Sequence, residues 1–190
     1  PIKFENYHKE LSKNFKEKNL NISFLGRLHT ELQEERSLIL DYLEKNFDNT
    51  YFKRFKLNEV NRLTLRDYSN ILNDSKIIFS PSGKVWDSVR HSEAAIYKSV
   101  PLISKPYCKL SSNINVTEDN SIFYDVKLLN NGFNIVDIDQ LSNSINKVLQ
   151  DEKLYFNKSN LWFQEMSNKN TLFERAKYIV EIIKSHLNKN

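Results

Sequence analysis

The stretch KIIFSPSGKVWDSVRHSEAAIYKSVPLIS, residues 76–104, contains the pattern that decides the fold. Its first five residues, 76–80, contain the apolar run Ile-Ile-Phe, and they predict a buried strand ending in a Pro-Ser-Gly loop. A helix is predicted over residues 88–98, and VPLIS, residues 100–104, predicts a second buried strand. Continuous apolar strands that alternate with helices are typical of a parallel sheet covered on both faces.

The alternation continues on both sides of this stretch. Further strands are predicted over NISFLG (21–26), TYFKRFK (50–56) and SIFYD (121–125). Apolar residues at helical spacing predict helices over residues 31–47, 63–75, 137–151 and 168–187. Thr64 and Asp67 fit a capping-box-like start of the helix predicted over residues 63–75. Asp139 is the expected cap of the helix predicted over residues 137–151. Trp162 is expected to hold the terminal helices to the sheet. The predicted fold class is α/β, a Rossmann-like parallel sheet with helices on both faces.

Composition excludes several classes of protein. The single cysteine, Cys108, excludes an internal disulfide framework and suits a cytoplasmic protein, although a lumenal Golgi or ER enzyme is also compatible with it. The net charge of +4 comes from scattered Lys and Arg residues, and no basic-aromatic motif predicts a nucleic-acid partner. No apolar run is long enough for a transmembrane segment. The sequence also lacks a G-x-G-x-x-G fingerprint, a Walker A motif, a G-x-S-x-G elbow and a set of residues at metal-ligand spacing, so no metal is predicted.

Two loops that follow predicted strands carry the candidate binding residues. In the first, Gly26 permits close approach of a ligand to the backbone, and Arg27 is a donor near the start of the next helix. In the second, Arg90 falls in the first helical turn, where a cation is disfavoured unless an anion faces it. Glu93 can accept hydrogen bonds from two hydroxyls of a ribose. A surface ion pair between Arg90 and Glu93 is the alternative interpretation.

These motifs resemble the C-terminal lobe of GT-B glycosyltransferases, especially exostosin-like and family-4-like enzymes. Their shared pattern is a strand, a Pro-x-Gly loop, R-x-x-E-A, a small residue and V-P-L/V-I. The matching positions are Arg90, Glu93, Ala94, Val100, Pro101, Leu102 and Ile103. FLGRLH, with Gly26 and Arg27, is similar to the F-x-G-R start of the same lobe.

The resemblance implies a role for each matching residue. Glu93 would bind the ribose of a UDP- or GDP-linked sugar donor, and Arg90 and Arg27 would face its diphosphate. Other residues expected to line the nucleotide site are Gly26, Ser82, Gly83, Ser88 and His91, with His91 as a hydrogen-bonding residue at the helix start. No catalytic residue is assigned, but Asp87 is a candidate general base, with capping of the helix as its alternative role. No cofactor is expected to be required.

Two departures from the family pattern leave the chemistry on the sugar side open. Val85 stands where family-4 enzymes carry a first acid, and Ser99 replaces the glycine usual before the V-P turn. Whether the reaction would retain or invert the anomeric configuration is therefore open.

The length of 190 residues suits one lobe. We expect a nucleotide-sugar-binding domain over residues 21–155, a helical arm or interlobe segment over residues 1–20, and C-terminal helices over residues 156–190. The expected function is transfer of a sugar to a glycan or other hydroxyl acceptor, completed by an N-terminal acceptor-binding lobe in cis or trans. The alternatives are a non-catalytic nucleotide- or phospho-ligand-binding module on the same fold and, more distantly, a nucleic-acid-binding protein.

Overall fold

The computed structural model of the chain describes residues 12–27, 33–55, 63–82, 88–106, 114–129 and 132–187. Within these ranges six strands form one sheet: β1 (Leu20–Arg27), β2 (Thr50–Phe55), β3 (Ser75–Ser80), β4 (Val100–Ser104), β5 (Ile122–Leu129) and β6 (Gly132–Val136). The α-helices are α1 (Gln33–Asn46), α2 (Leu65–Asn73), α3 (Val89–Ile96), α4 (Ile138–Gln150), α5 (Glu152–Lys169) and α6 (Leu172–Leu187). None of the described helices is both long enough and apolar enough to cross a membrane.

The strand order across the sheet is β2-β1-β3-β4-β5-β6. The first five strands are parallel, and β6 pairs antiparallel with β5. β4 is buried throughout and β3 almost throughout, which explains their continuous apolar sequences. The predicted α/β Rossmann-like class is confirmed, with one difference: the sheet is mixed rather than wholly parallel.

The antiparallel strand β6 was absent from the sequence prediction. Leu129 pairs with Gly132, so only residues 130 and 131, which lie outside the described ranges, connect β5 to β6. Gly132 has a φ of 111°, a conformation that side chains disfavour. The dipeptide Asn131-Gly132, whose glycine is the first residue of β6, is a recognised hairpin signal and would have indicated a turn at this place in the sequence.

Hydrophobic clusters lie on the two faces of the sheet, because successive side chains of a strand point to opposite sides. The first cluster joins strand residues such as Ile77 and Phe79 to α1 and α4. The second joins the alternate residue, Ile78, to α2 and α3. α5 contributes to both clusters, with Tyr155 in the first and Trp162 in the second. Trp162 thereby holds α5 to the sheet, as predicted for this residue, and its indole N–H also donates to the His91 carbonyl of α3 at 2.9 Å.

The strand order places a crevice beyond the carboxyl ends of β1 and β3. From β1 the chain moves outward to β2, and it then returns to form β3 on the other side of β1. The connections after β1 and β3 therefore diverge to opposite sides, and in open parallel sheets ligands bind at such a point. Both loops selected from the sequence begin at this position.

A buried lysine at the opposite edge of the sheet aligns two of the helices. The Lys18 ammonium group donates to the carbonyls of Asn73, at the end of α2, and Tyr97, at the end of α3, at 2.8 and 3.0 Å. It also donates to the Ser75 carbonyl at 3.0 Å. Helix C-termini leave carbonyl groups that attract a cation. Lys18 therefore fixes the carboxyl ends of α2 and α3 relative to each other.

The limits of several predicted elements differ from the observed ones. The Asp137 residue is the N-cap of α4, and Asp139 lies within its first turn instead of capping it. The closing helix predicted over residues 168–187 begins later, at Leu172, because α5 extends to Lys169 and includes the first predicted residues. Within the described part of the N-terminal segment, residues 15–17 form a single 3-10 turn. Residues 1–11 of the predicted arm lie outside the described ranges.

Candidate functional site

The second loop ends at a helix whose start is well defined. Ser88 is the N-cap of α3, and its hydroxyl accepts a hydrogen bond from the Arg90 backbone N–H at 3.3 Å. This bond satisfies one of the backbone donors that a helix start leaves free. Ser88 therefore fills the capping role that the sequence analysis gave to Asp87 as an alternative, and Asp87 itself lies outside the described residues together with Gly83.

Arg90, Glu93 and Tyr68 form a closed hydrogen-bonded triad beside this helix start. The Tyr68 hydroxyl lies 2.8 and 2.9 Å from the two Glu93 carboxylate oxygens. Arg90 Nη1 donates to Glu93 Oε2 at 2.8 Å and to the Tyr68 hydroxyl at 2.5 Å. The side chains of Arg90 and Glu93 are only 22% and 16% exposed, so this pair is more sheltered than an ordinary surface ion pair.

The surroundings keep Tyr68 in its neutral form. Burial raises the pKa of the Tyr68 phenol, and Glu93 raises it further, while the Arg90 cation opposes these effects. Tyr68 therefore acts as a hydrogen-bond donor to Glu93 rather than as a charged group. The Arg90 guanidinium also lies over the Tyr68 ring, 5.6 Å from its centroid, which adds a cation–π contact.

One nitrogen of the Arg90 guanidinium lacks a hydrogen-bond partner among the described residues. Its Nε is buried, and it has no hydrogen-bond partner within the part of the chain that the structure describes. A buried N–H without a partner is unfavourable, because it has lost its hydration without gaining a bond. An anion at the start of α3 would supply such a partner and would also interact favourably with the helix dipole.

A second arginine, which the sequence analysis missed, lies at the same crevice. Arg36 is in the first turn of α1, and its guanidinium donates to the carbonyl of Ser82 in the loop after β3. Burial lowers the pKa of Arg36, and the positive charge of Arg90 contributes to this lowering. The two cations are therefore close enough to repel each other. The dipole argument that selected Arg90 applies equally to Arg36 and would have found it.

Further polar groups line the carboxyl edge of β4 and β5. The Ser104 hydroxyl donates to Ser82 Oγ at 3.3 Å. Burial raises the pKa of the Tyr124 phenol well above its usual value, and the neighbouring Glu35 carboxylate adds to this rise. Burial likewise raises the pKa of Glu35. Groups whose pKa is shifted by their surroundings concentrate at functional sites. The sequence pattern gave no signal for Glu35 or Tyr124.

The structure gives different surroundings to the other predicted site residues. Gly26 is buried in β1, and a Cβ atom there would lie 2.6 Å from the Phe24 ring. Arg27 ends β1, but its side chain is outside the described part of the structure. His91 is buried, with Nδ1 2.6 Å from Ser80 Oγ. His91 thus contacts the interior of the domain, whereas Ser82 lies in the loop after β3, Ser88 caps α3, and Arg90 and Glu93 lie in its first two turns.

A separate cavity of about 410 Å³ lies beside β5, between α4 and α5. Its lining includes lysines (Lys105, Lys147, Lys158) and acids (Glu118, Asp125, Asp137). The Lys158 ammonium group donates to the carbonyls of Glu118 and Ser121. Because the charges are mixed, the cavity does not favour an anionic ligand as the two arginines do.

A comparison with solved structures agrees with the fold described above, whereas comparisons of the sequence found no match. No protein-family model matches the chain, and its sequence matches no curated protein. Its fold is similar to the crystal structure of the C-terminal domain of a glycosyl transferase group 1 family protein, LpcC, from Francisella tularensis, with a TM-score of 0.52. The sequence identity is 10%, and the match covers 90% of this chain and 93% of that domain. The chain therefore has the fold of a glycosyl transferase C-terminal domain.

Proposed function

We propose that this domain binds the nucleotide-sugar donor of a glycosyltransferase and acts together with an N-terminal lobe that binds the acceptor. The observation that carries the proposal is the sheltered Arg90–Glu93 pair at the start of α3. It combines a cation suited to phosphate with an acceptor suited to hydroxyls, at the edge of the sheet where such folds bind ligands. The similarity of the fold to a glycosyl transferase domain supports the same conclusion.

In this proposal, Glu93 accepts hydrogen bonds from the ribose hydroxyls of the donor. Arg90 and Arg36 face the diphosphate, because both guanidinium groups lie at the crevice and each belongs to the first turn of a helix. Arg27 remains a further candidate for the diphosphate from its place at the end of β1. Arginine suits this role, since its planar group matches phosphate oxygens and its charge is permanent.

The proposed chemistry is electrostatic. The bond between the anomeric carbon of the sugar and the diphosphate oxygen breaks, and its electron pair leaves with the nucleoside diphosphate. The acceptor hydroxyl oxygen forms the new bond to the anomeric carbon and gives its proton to a base. Asp87 is a candidate for that base, and the partner lobe is the other source. The arginines stabilise the charge that develops on the leaving diphosphate, so the proposal requires no metal.

An exposed apolar face supports the presence of a partner lobe. Among the α6 side chains that the structure describes, those that are large, apolar and exposed are Phe173, Ile179, Val180 and Ile183. Exposed apolar side chains that concentrate on one helix are typical of an interaction site. We propose that this face contacts the N-terminal lobe.

Calorimetric titration tests the nucleotide site. We expect the chain to bind one of UDP, GDP and CDP selectively, with or without Mg²⁺, and we expect Glu93→Gln to weaken that binding about 10-fold or more. Glu165→Gln is the matched control, because the Glu165 side chain is 15% exposed and pairs with Lys169 on α5. Unchanged binding in both Glu93→Gln and Arg90→Gln would refute the site assignment.

The competing function is a non-catalytic module that binds a nucleotide or another phosphorylated ligand. The closed triad favours this alternative in one respect, since Glu93 already has partners within the chain. Addition of an acceptor-binding lobe separates the two functions. A transferase releases nucleoside diphosphate from a nucleotide-sugar in the presence of an acceptor, whereas a binding module retains the intact donor.

A further inference from the structure

We propose that Tyr68 competes with the ribose diol for Glu93 and thereby weakens nucleotide binding and speeds nucleotide release. This inference rests on the proposed function, because it concerns the same carboxylate. The inference adds Tyr68, a residue of helix α2, to the site. Neither the sequence motifs nor the similar structure had assigned Tyr68 to it.

The position of the Tyr68 hydroxyl is the main argument. Its distances to the two Glu93 oxygens differ by only 0.1 Å (2.8 and 2.9 Å), so it lies between them. A diol that binds a carboxylate in a bidentate manner approaches through this same space and donates one hydrogen bond to each oxygen. Arg90 already occupies one further position, on Oε2. Tyr68 and a diol are therefore alternative partners for the same side of Glu93.

The contacts of Tyr68 indicate that it can leave this position. Its hydroxyl bonds only to Glu93 and Arg90 among the described residues, and its ring is half-buried. Burial raises the pKa of its phenol, so it leaves as a neutral group. After displacement, Glu93 keeps its bond to Arg90 and gains the diol, while Arg90 Nη1 loses only the Tyr68 oxygen. When the nucleotide departs, Tyr68 returns and satisfies the carboxylate.

The competition has a consequence that depends on the ligand. A nucleotide with both ribose hydroxyls must displace Tyr68, whereas a 2′,3′-dideoxynucleotide leaves Tyr68 bonded to Glu93. Removal of the Tyr68 hydroxyl should therefore strengthen binding of the first ligand and leave the second unchanged. A purely structural role of Tyr68 would instead weaken the binding of both ligands together, because α2 and α3 would lose their alignment.

The test compares Tyr68→Phe with wild type in titrations with UDP, GDP and their 2′,3′-dideoxy analogues. We expect the variant to bind the ribonucleotide about 2- to 10-fold more tightly, the range that one hydrogen bond supplies, with slower dissociation and an unchanged affinity for the dideoxy analogue. Tyr155→Phe is the matched control, since it removes a buried hydroxyl that donates to the Lys98 carbonyl, near the far end of α3. That control should leave both affinities unchanged.

Contrary results separate the two proposals. If Glu93→Gln abolishes the preference for the ribonucleotide but Tyr68→Phe binds it no more tightly, the role of Tyr68 is refuted and the proposed function stands. If neither wild type nor Tyr68→Phe binds any of the nucleotides, both proposals are refuted. Should Tyr68→Phe fold poorly, wild type labelled with ¹³C at the tyrosine Cζ atoms gives a second measurement. A tyrosine signal should then shift with the ribonucleotide and not with its dideoxy analogue, and an equal response to both would refute the competition.

Discussion

Trp162 on α5 donates its indole N–H to the backbone carbonyl of His91 on α3, at 2.9 Å. The two aromatic rings also meet edge to face, with centroids 6.1 Å apart. Because His91 lies between Arg90 and Glu93 in the sequence, this contact fixes the helical turn that presents both candidate site residues. A residue near the end of the chain therefore positions a site formed near its middle.

Substitution of Trp162 by Phe should lower the free energy of unfolding by about 2–4 kcal/mol, because it removes buried volume and the side-chain hydrogen bond to the His91 carbonyl. Urea unfolding measures the change. Leu161→Ala, at the neighbouring and more exposed position, is the control and should have a much smaller effect. Equal effects of the two substitutions would show that the contact to α3 has no special role.

The buried Lys18 predicts a pH dependence of stability. Burial lowers the pKa of Lys18 to about 7, although the Asp74 carboxylate opposes the shift. The unfolded chain, whose lysine has a pKa of about 10.5, then binds more protons than the folded chain between these two values. Stability should rise with pH across this window, by at most about 1.4 kcal/mol per pH unit, and should show no such contribution below pH 7.

The measurement is the difference in unfolding free energy between wild type and Lys18→Met across the same pH range. This difference removes the contributions of all other groups that titrate. It should shift in favour of wild type as the pH rises above about 7. A difference that stays constant would mean that Lys18 keeps its ordinary pKa in the folded protein.

Arg36→Gln should weaken nucleoside diphosphate binding by about 10-fold or more, because one charge-assisted contact to phosphate is lost. Binding of the matching nucleoside, which has no phosphate, should change little. Arg54→Gln is the control, since Arg54 pairs with Asp41 and Glu44 of the same helix α1. If Arg36→Gln weakens both ligands equally, its role is to hold the Ser82 loop rather than to bind phosphate.

Gly26→Ala should destabilise the domain by about 1–3 kcal/mol, because the added Cβ would lie 2.6 Å from the Phe24 ring. The smaller side chain in Phe24→Leu should relieve this clash. The double variant should therefore lose less stability than the sum of the two single variants, which a double-mutant cycle measures. Additive losses would mean that the ring moves aside freely.

Much of the fold was predictable because local sequence determines it. The apolar runs of β3 and β4 predicted strands buried on both faces, and Thr64 caps α2 as expected, with its oxygen accepting from the Asp67 N–H at 3.1 Å. The antiparallel β6 was harder, because it has only five residues and depends on pairing with β5. The capping prediction at Asp139 was wrong because α4 begins immediately after Asp137.

The candidate site was predictable only in part. Arg90 and Glu93 share one helical turn, so their spacing in the sequence indicated their proximity. The Tyr68 partner of Glu93 lies 25 positions away on a different helix, and only packing of α2 beside α3 brings the two together. Arg36 is farther still from Ser82, at 46 positions. Contacts of this kind depend on the strand order, which periodicity does not determine.

The path of α5 across the domain has a consequence for how the chain folds. Because this helix supplies Tyr155 to one hydrophobic cluster and Trp162 and Met166 to the other, neither face of the sheet is complete without it. A chain truncated after residue 155 would expose the surface of α3 that Trp162 covers. The described domain should therefore melt in a single cooperative transition, and loss of α5 should disorder the arginine and glutamate of α3 together with the core beneath them.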